Sequence, residues 1–450
     1  MASNNSFNKF SLGYALSYFL IIFGEITFFD SIINKLFLLG AHIPDMLFYL
    51  ASFSVFSLIL AFLAPVLGFI SDKRKLGSRR RPYLISSIVG MALVAVLFYF
   101  SPLNFGSTDF FLISSFYAIL QGIYVFSSSI FYISFYSLYP EMFQDLESRS
   151  KIIGLTLGFS ALASLSRVLL DIFFNVEEIY FAIIFSLLII LGGILLFKKG
   201  FDEPYLRLSE KPEFNEQPSY KILSSSNKLF KWFLIIFFFI TISEFLIGSA
   251  LSYSLTTNLV TIPLSLIEIT TFFMAIVPIV ATIVFLLYWR KLTLSLGIKK
   301  LLKILMLALL ISTVAFIFLS DLISGFILTS LITVILSGLS FVKFLFLAIV
   351  IDSYYLNTGK RREATYFGLN GTFTFISVYI GIFLGSFITS LSLLFFNPFA
   401  GIQTYFLFIK IGLSIFAVIF IGISIVLIRK IPLDVEKYEN IEKEVAKINT

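Results

Sequence analysis

The sequence predicts an all-α integral membrane protein of about twelve transmembrane helices, arranged as two pseudo-symmetric six-helix bundles. Three observations carry that expectation. Hydrophobic residues make up 58% of the chain and charged residues only 13%, against about half and about a quarter in ordinary soluble domains. A soluble fold of 450 residues has too little interior to hide that apolar surface, so lipid must solvate much of it. Apolar runs of about 20 residues, enough to cross a bilayer core, recur along the whole chain, and the connections between them alternate in charge.

The first six spans read near 11–38, 45–70, 83–101, 109–138, 152–175 and 178–197. The second six read near 231–257, 263–289, 301–320, 325–351, 364–395 and 402–428. Spans of 25 residues or more are expected to tilt or to run past the hydrocarbon. The organisation expected is an N-terminal bundle at 1–197, a linker at 198–230, a C-terminal bundle at 231–430 and a tail at 431–450. The linker contains Asp202, Glu203, Pro204, Pro212 and Pro218, and the tail mixes Glu and Lys at helical spacing.

One set of connections gathers the cations: Lys73, Arg74, Lys75, Arg79, Arg80 and Arg81; then Arg149 and Lys151; then Arg290, Lys291, Lys299 and Lys300; then Lys360, Arg361 and Arg362. The opposite set carries almost none, Lys35 being the main exception. By the positive-inside rule both termini and the basic loops are expected in the cytoplasm of a plasma-membrane protein. The net charge of +7 is then topogenic, and nucleic acid is not an expected partner; membrane lipid is. The chain has no cysteine and a single histidine, His42, which excludes thiol chemistry and a multi-histidine metal site. No cofactor is expected. Met1 to Lys9 lacks the basic start and cleavage site of a signal peptide, so the first apolar run is expected to be retained.

The halves carry a weak repeat. "HIPDMLFYLASF" opens the second span and "TIPLSLIEITTF" the eighth; Pro44 and Pro263 are 219 residues apart, as are Glu25 and Glu244. Transporters are often built from such repeats, with a site near the bilayer midplane at the repeat interface.

The connection after the second span reads Gly68-Phe-Ile-Ser-Asp72-Lys-Arg-Lys-Leu-Gly77-Ser-Arg79-Arg80-Arg81-Pro82-Tyr83. Gly68 permits close approach of a helix, Asp72 is placed to accept hydrogen bonds from a helix N-terminus, Gly77 permits a tight turn, and the arginines can bridge to carboxylates or lipid phosphates. This segment resembles the helix 2–3 loop of the major facilitator superfamily. Within it, "GSRRRPY" resembles the glycoside–pentoside–hexuronide:cation symporters and the related sucrose transporters. "YPEMFQDLESRSKIIG" at 139–154 is similar to that family's helix 4–5 loop, through Pro140, Glu141, Glu147 and Arg149. "DSYYLNTGKRREATYFG" at 352–368 is similar to its helix 10–11 loop, through Asp352, Thr358, Gly359, Arg361, Arg362, Glu363 and Gly368. The resemblance implies the twelve-helix fold, alternating access and a solute that is typically a sugar. The chain departs from the family at its cation carboxylates: Ala64 and Leu60 stand where the second helix carries them, Tyr132 where helix 4 carries Asp or Asn, and Thr156 where an arginine is usual.

The chain's own intramembrane charges are therefore the candidate site. An ionisable group near the bilayer centre costs about 2.5–3.5 kcal/mol on insertion scales and marks function by default. Glu25 and Glu244 fall near the middle of the first and seventh spans. Arg167 and Asp171, four apart, share a face of the fifth. Lys343 lies deep in the tenth, as a candidate counter-ion of Glu244; Asp30 lies further out in the first. Gln121 and Tyr124 are candidate liners on the fourth span, with Tyr132 and Tyr136 below them, although in a chain with 21 Tyr and 57 Phe any one ring more often serves packing. Glu268 stands near the outer end of the eighth span, at the cavity mouth or in the interface, and Lys410 is expected to snorkel or pair at the periphery. The expected function is proton-coupled symport of a sugar by a monomer, with Glu25 as the coupling group and Arg167 as its candidate cation. The alternatives are a uniporter, a carrier of a drug or lysolipid, or a non-transporting sensor. No paired-acid motif, metal-ligand set or nucleophile elbow favours a membrane enzyme.

Overall fold

In lipid a helix satisfies its own backbone polar groups, and the apolar runs of this chain form helices. The computed structural model describes residues 10–26, 62–74, 78–97, 100, 110–143, 145–173, 178–202, 228–260, 264–318, 322–359, 361–395 and 402–431. They form α1 (Phe10–Ile26), α2 (62–73), α3 (Arg81–Leu97), α4 (Phe110–Met142), α5 (Leu146–Phe173), α6 (Glu178–Leu195), α7 (Lys228–Val260), α8 (Leu264–Leu296), α9 (Ile298–Phe318), α10 (Leu322–Thr358), α11 (Glu363–Phe395) and α12 (Ile402–Ile428). Among the described residues there is no strand, and nine helices are long and apolar enough to cross a membrane. Large apolar side chains such as Phe318 and Leu287 stay 79% and 75% exposed, a surface that lipid must cover.

Several helices run past their apolar spans. α8 continues through Arg290 and Lys291, α10 through Asp352, and α5 begins at Leu146. Hydropathy marks where the hydrocarbon ends, but the backbone ladder needs no apolar side chain and continues until a cap or glycine stops it. Gly359, with φ +65°, follows α10 in the left-handed conformation that commonly ends a helix.

The chain parts into two units, one comprising Met1–Ile222 and Asn357–Thr372, the other Leu223–Leu356 and Phe373–Thr450. In the first unit α3 packs along α4 and α6, and the Ser186 hydroxyl donates to the Ala92 carbonyl at 3.0 Å. α1 is held to α4 by the Tyr14 hydroxyl, which donates to the Phe135 carbonyl at 2.9 Å, while the two rings stack at 4.0 Å between centroids. In the second unit α7 packs along α12, and α9 against α12 and α8. There the Phe239 and Phe420 rings stack at 5.8 Å, and the Lys299 ammonium donates to the Ile431 carbonyl just past α12 at 2.8 Å, a cation at the negative end of a helix.

Candidate functional site

Helical spacing builds the first group. On α1, Tyr14, Tyr18 and Glu25 are four and seven residues apart; on α4, Tyr124, Tyr132 and Tyr136 are eight and four apart. Each set therefore lies along one face of its helix. The faces meet in the first unit. The Tyr132 hydroxyl donates to Glu25 Oε2, and Tyr124, fully buried two turns earlier, acts on the same carboxylate. The Tyr18 and Tyr136 hydroxyls share a hydrogen bond of 2.6 Å. Tyr136 stacks on Tyr132 at 5.7 Å and on Phe367 at 6.0 Å. Glu25 is thus met by phenols, and the tyrosine at 132 occupies the position where the resembled family carries Asp or Asn.

Gln121, one turn before Tyr124, is 2% exposed, and among the described residues its Oε1 has no hydrogen-bond donor. A buried acceptor left that way costs about 1–3 kcal/mol. Arg167 is buried on α5, at 5% exposure. Asp30 and the side chains of Asp171 and Glu268 lie outside the described residues.

In the second unit Glu244 on α7 and Lys343 on α10 act on each other electrostatically. Both are half-buried in the middle of long apolar helices. The Lys343 ammonium donates to Thr374 Oγ1 on α11 at 3.2 Å and stands 5.8 Å from the centre of the Phe237 ring. Lys410 on α12 is 5% exposed and sits over the Phe316 ring at 4.6 Å, deeper than the peripheral position its sequence context predicts.

A second cluster gathers where α2, the α2–α3 connection, the end of α4 and the start of α11 meet, all within the first unit. Arg80 is fully buried. Its Nη2 donates to Asp72 Oδ1 at 2.7 Å and to Glu141 Oε1 at 2.6 Å, its Nε to Glu141 Oε1 at 3.1 Å and its Nη1 to Ser71 Oγ at 2.8 Å. Glu363 Oε2 lies 3.6 Å from the same guanidinium, Arg79 3.9 Å from Glu141, and Arg361 3.3 Å from Glu363. Burial alone would lower the pKa of Arg80, but Glu141, Asp72 and Glu363 outweigh it and raise the pKa well above the ordinary arginine range, so its charge is permanent.

Asp72 does two jobs at once. Besides Arg80 it accepts from the Ala364 amide at 3.3 Å, the Thr365 amide at 2.8 Å and the Thr365 hydroxyl at 2.7 Å. An aspartate of one helix therefore caps the N-terminus of another, satisfying orphan amides and the helix dipole together. The approach depends on two glycines: a Cβ at Gly68 would fall on the Ala364 backbone, and one at Gly368 on the Ala64 and Pro65 backbone.

The remaining loop residues hold other surfaces. Arg149 is buried and donates from Nε to the Phe143 carbonyl at 2.7 Å. Arg81 lies 5.6 Å from the Phe197 ring centre and Arg362 5.8 Å from that of Phe69. Asp352 is buried near the end of α10, and Gly77 lies outside the described residues. Among the described residues no group of three or more acidic or histidine side chains is placed to hold a metal ion.

Residues 46–435 match the family described as MFS/sugar transport protein. No match is found among curated proteins. Solved structures share the fold. A bacterial homologue of the iron transporter ferroportin aligns with a TM-score of 0.69 and 15% identity, over 94% of this chain and 98% of that one. The fucose:proton symporter FucP of E. coli aligns at 0.66 and 12% over 94% and 98%, and the human organic anion transporter MFSD10 at 0.63 and 15% over 94% and 99%. With the family match spanning most of the sequence and the helical fold that of these transporters, the chain is a multi-pass membrane transporter belonging to the MFS/sugar transport protein family.

Proposed function

We propose that the protein is a proton-coupled symporter that moves a sugar or glycoside by alternating access, with residues 1–197 and 231–430 as its two bundles and both termini in the cytoplasm. The observation that carries the reading is the setting of Glu25, a carboxylate on the apolar helix α1 met by tyrosine hydroxyls. A phenol both donates and accepts. When Glu25 is ionised Tyr132 donates to it; when it takes a proton the carboxyl can donate back to a phenol oxygen. Both protonation states are satisfied, and no buried cation is stranded when the charge disappears, as one would be in an arginine pair.

The solute side of the argument rests on Gln121 and the tyrosine ladder. A sugar hydroxyl would supply the donor that Gln121 Oε1 lacks, and the flat ring faces beside it suit the apolar face of a pyranose. Arg167 on α5 is a further polar group of this unit, and Glu244 with Lys343 is the candidate polar pair of the second unit. The family description and the fucose:proton symporter among the structural neighbours support a sugar and a proton. The Asp72–Arg80–Glu141–Glu363 cluster, with Arg149, Arg361 and Arg362, is the gating element of the first unit rather than its solute site, and Asp352 is a gating residue of the second.

The test is uptake into proteoliposomes. The wild type should accumulate sugar against its gradient under an imposed pH difference, and a protonophore should abolish this. Glu25→Gln, which mimics the protonated form, should lose uphill accumulation while still exchanging solute downhill. Continued accumulation by Glu25→Gln would remove Glu25 as the coupling group; accumulation indifferent to the protonophore would favour a uniporter. A sugar that binds should raise the thermal stability of the purified protein, by about 2.7 kcal/mol at 100 times its Kd.

A further inference from the structure

Three helix ends of the second unit meet around a group of cations. On the first turn of α9 the Lys299 ammonium donates to the Ile431 carbonyl just past α12 at 2.8 Å. Lys430, at that same end of α12, stands 5.1 Å from the centre of the Trp232 ring near the start of α7. These contacts bring together Lys231, Lys299, Lys300, Lys303, Arg429 and Lys430. All but Lys299 are exposed, and among the described residues none of the exposed five forms an ion pair. Of the acidic side chains described in this unit, Glu244 lies in the middle of α7 and Asp352 is buried on α10. The basic loop of the first unit differs, because there Asp72 and Glu141 meet Arg80. Past the cations the exposed face of each helix turns apolar. Four-residue spacing places Ile235 behind Lys231, Leu307 behind Lys303 and Val426 behind Lys430, and these three are 38%, 39% and 59% exposed.

We infer that this basic end of the second unit is a binding site for an anionic phospholipid, with the phosphate against the cations and the acyl chains along Ile235, Leu307 and Val426. The inference rests on residence in a membrane and not on the proposed solute or proton. Like charges held together repel one another, and an anion set among them removes that repulsion. The order of cation and then exposed apolar side chain, repeated on three helices, fits a ligand that is charged at one end and apolar along the rest. Free phosphate has nothing to place on the apolar residues, and a zwitterionic lipid brings no net charge to the cations. Trp232, apolar in body and polar at its N–H, suits the boundary between the two. The chain's own tail fits less well: residues 434–450 hold five carboxylates and three lysines, a net side-chain charge of −2 against six cations.

Trp232 reports on its own site. The chain has two tryptophans; Trp289 is 7% exposed, whereas Trp232 is half-buried beside Lys430. The full chain is placed in phosphatidylcholine vesicles. Phosphatidylglycerol with brominated acyl chains should quench the fluorescence at a lower fraction than brominated phosphatidylcholine does. Trp232→Phe should remove that difference; a difference that survives places the lipid elsewhere and overturns the inference. Each basic residue near an anionic surface contributes about a fivefold factor. Lys300→Gln/Lys303→Gln/Arg429→Gln, which leaves Lys299 and Lys430 in place, should therefore remove most of the preference, a factor of up to about 100. Arg74→Gln/Lys198→Gln/Lys199→Gln takes three exposed cations from the first unit and should keep it. Equal losses in the two triple variants would make the effect one of overall charge and overturn the inference, as would a wild type without preference. Quenching abolished by inorganic phosphate would mark a free-anion site, and a preference that appears only after removal of residues 434–450 would make the tail the occupant; either result overturns it. Should the second-unit variant fail to fold, the wild type decides alone: its preference should shrink as ionic strength rises, and indifference to salt overturns the inference.

Discussion

Two groups of carboxylates in the first unit, one fully buried and one half-buried, differ in what meets them. Asp72 and Glu141 close on a guanidinium with no exposure and permanent charge, at distances of 2.7 and 2.6 Å. Glu25 closes on tyrosine hydroxyls. The first arrangement locks: a buried guanidinium bridges two carboxylates, each oxygen of Asp72 is engaged, and removing the arginine strands the others. The second adapts, because phenols serve either protonation state. The proposed proton-coupled cycle would use both kinds, a fixed latch between helices and a site whose charge can change without collapse. The polar chemistry around each carboxylate separates the two.

The largest effect expected is on the lock. Arg80→Ala leaves Asp72 and Glu141 without their buried cation, and breaking a buried pair costs about 3–5 kcal/mol. Thermal unfolding in detergent should show that loss, with Arg80→Lys intermediate because an ammonium cannot fork between two carboxylates. Glu25→Gln should cost less than about 1 kcal/mol in the same assay, since its phenol partners keep a neutral acceptor. Equal losses in the two variants would break the comparison.

The crossing that brings Asp72 to α11 comes next. Gly68→Ala puts a methyl group against the Ala364 backbone, and overpacking of this kind costs about 1–3 kcal/mol. The cost should fall on the conformation in which α2 and α11 touch. Cysteine pairs across that contact should cross-link more slowly in Gly68→Ala, while solute binding at equilibrium changes less. A variant that binds solute poorly yet cross-links normally would move Gly68 from the latch to the solute site.

Much of this was legible in the sequence, to different depths. The helices followed from apolar run length, and Asp72, Arg80, Glu141 and Glu363 from three loop motifs. The motifs do not reveal which of three consecutive arginines is buried. Arg80 turns inward while Arg79 stays partly exposed and Arg81 turns to the Phe197 ring, a choice made by the direction in which α3 starts. Glu25 stood out as a charge in an apolar run. Tyr124 and Tyr132 also stood out on the fourth span, but not as partners of Glu25, for which Arg167 was the expected counterpart: Tyr132 is 107 residues away and one of 21 tyrosines, and only the pairing of the α1 and α4 faces joins it to the carboxylate.

The smallest effect expected isolates conformation from contact. Gly359 has a φ of +65° and nothing within 4 Å of where a Cβ would stand, whereas Gly68 is pressed against backbone with no unusual φ. Gly359→Ala therefore meets only the left-handed backbone penalty, about 1–2 kcal/mol, and Gly359→Asn should recover part of it because asparagine tolerates that region. At Gly68 the order reverses: asparagine, being larger than alanine, should be the worse replacement. Unfolding temperatures of the four variants give the sign of each difference. Alanine above asparagine at 359 would mean that the turn after α10 is held by contacts rather than by φ, and the stop of that helix would then need another cause.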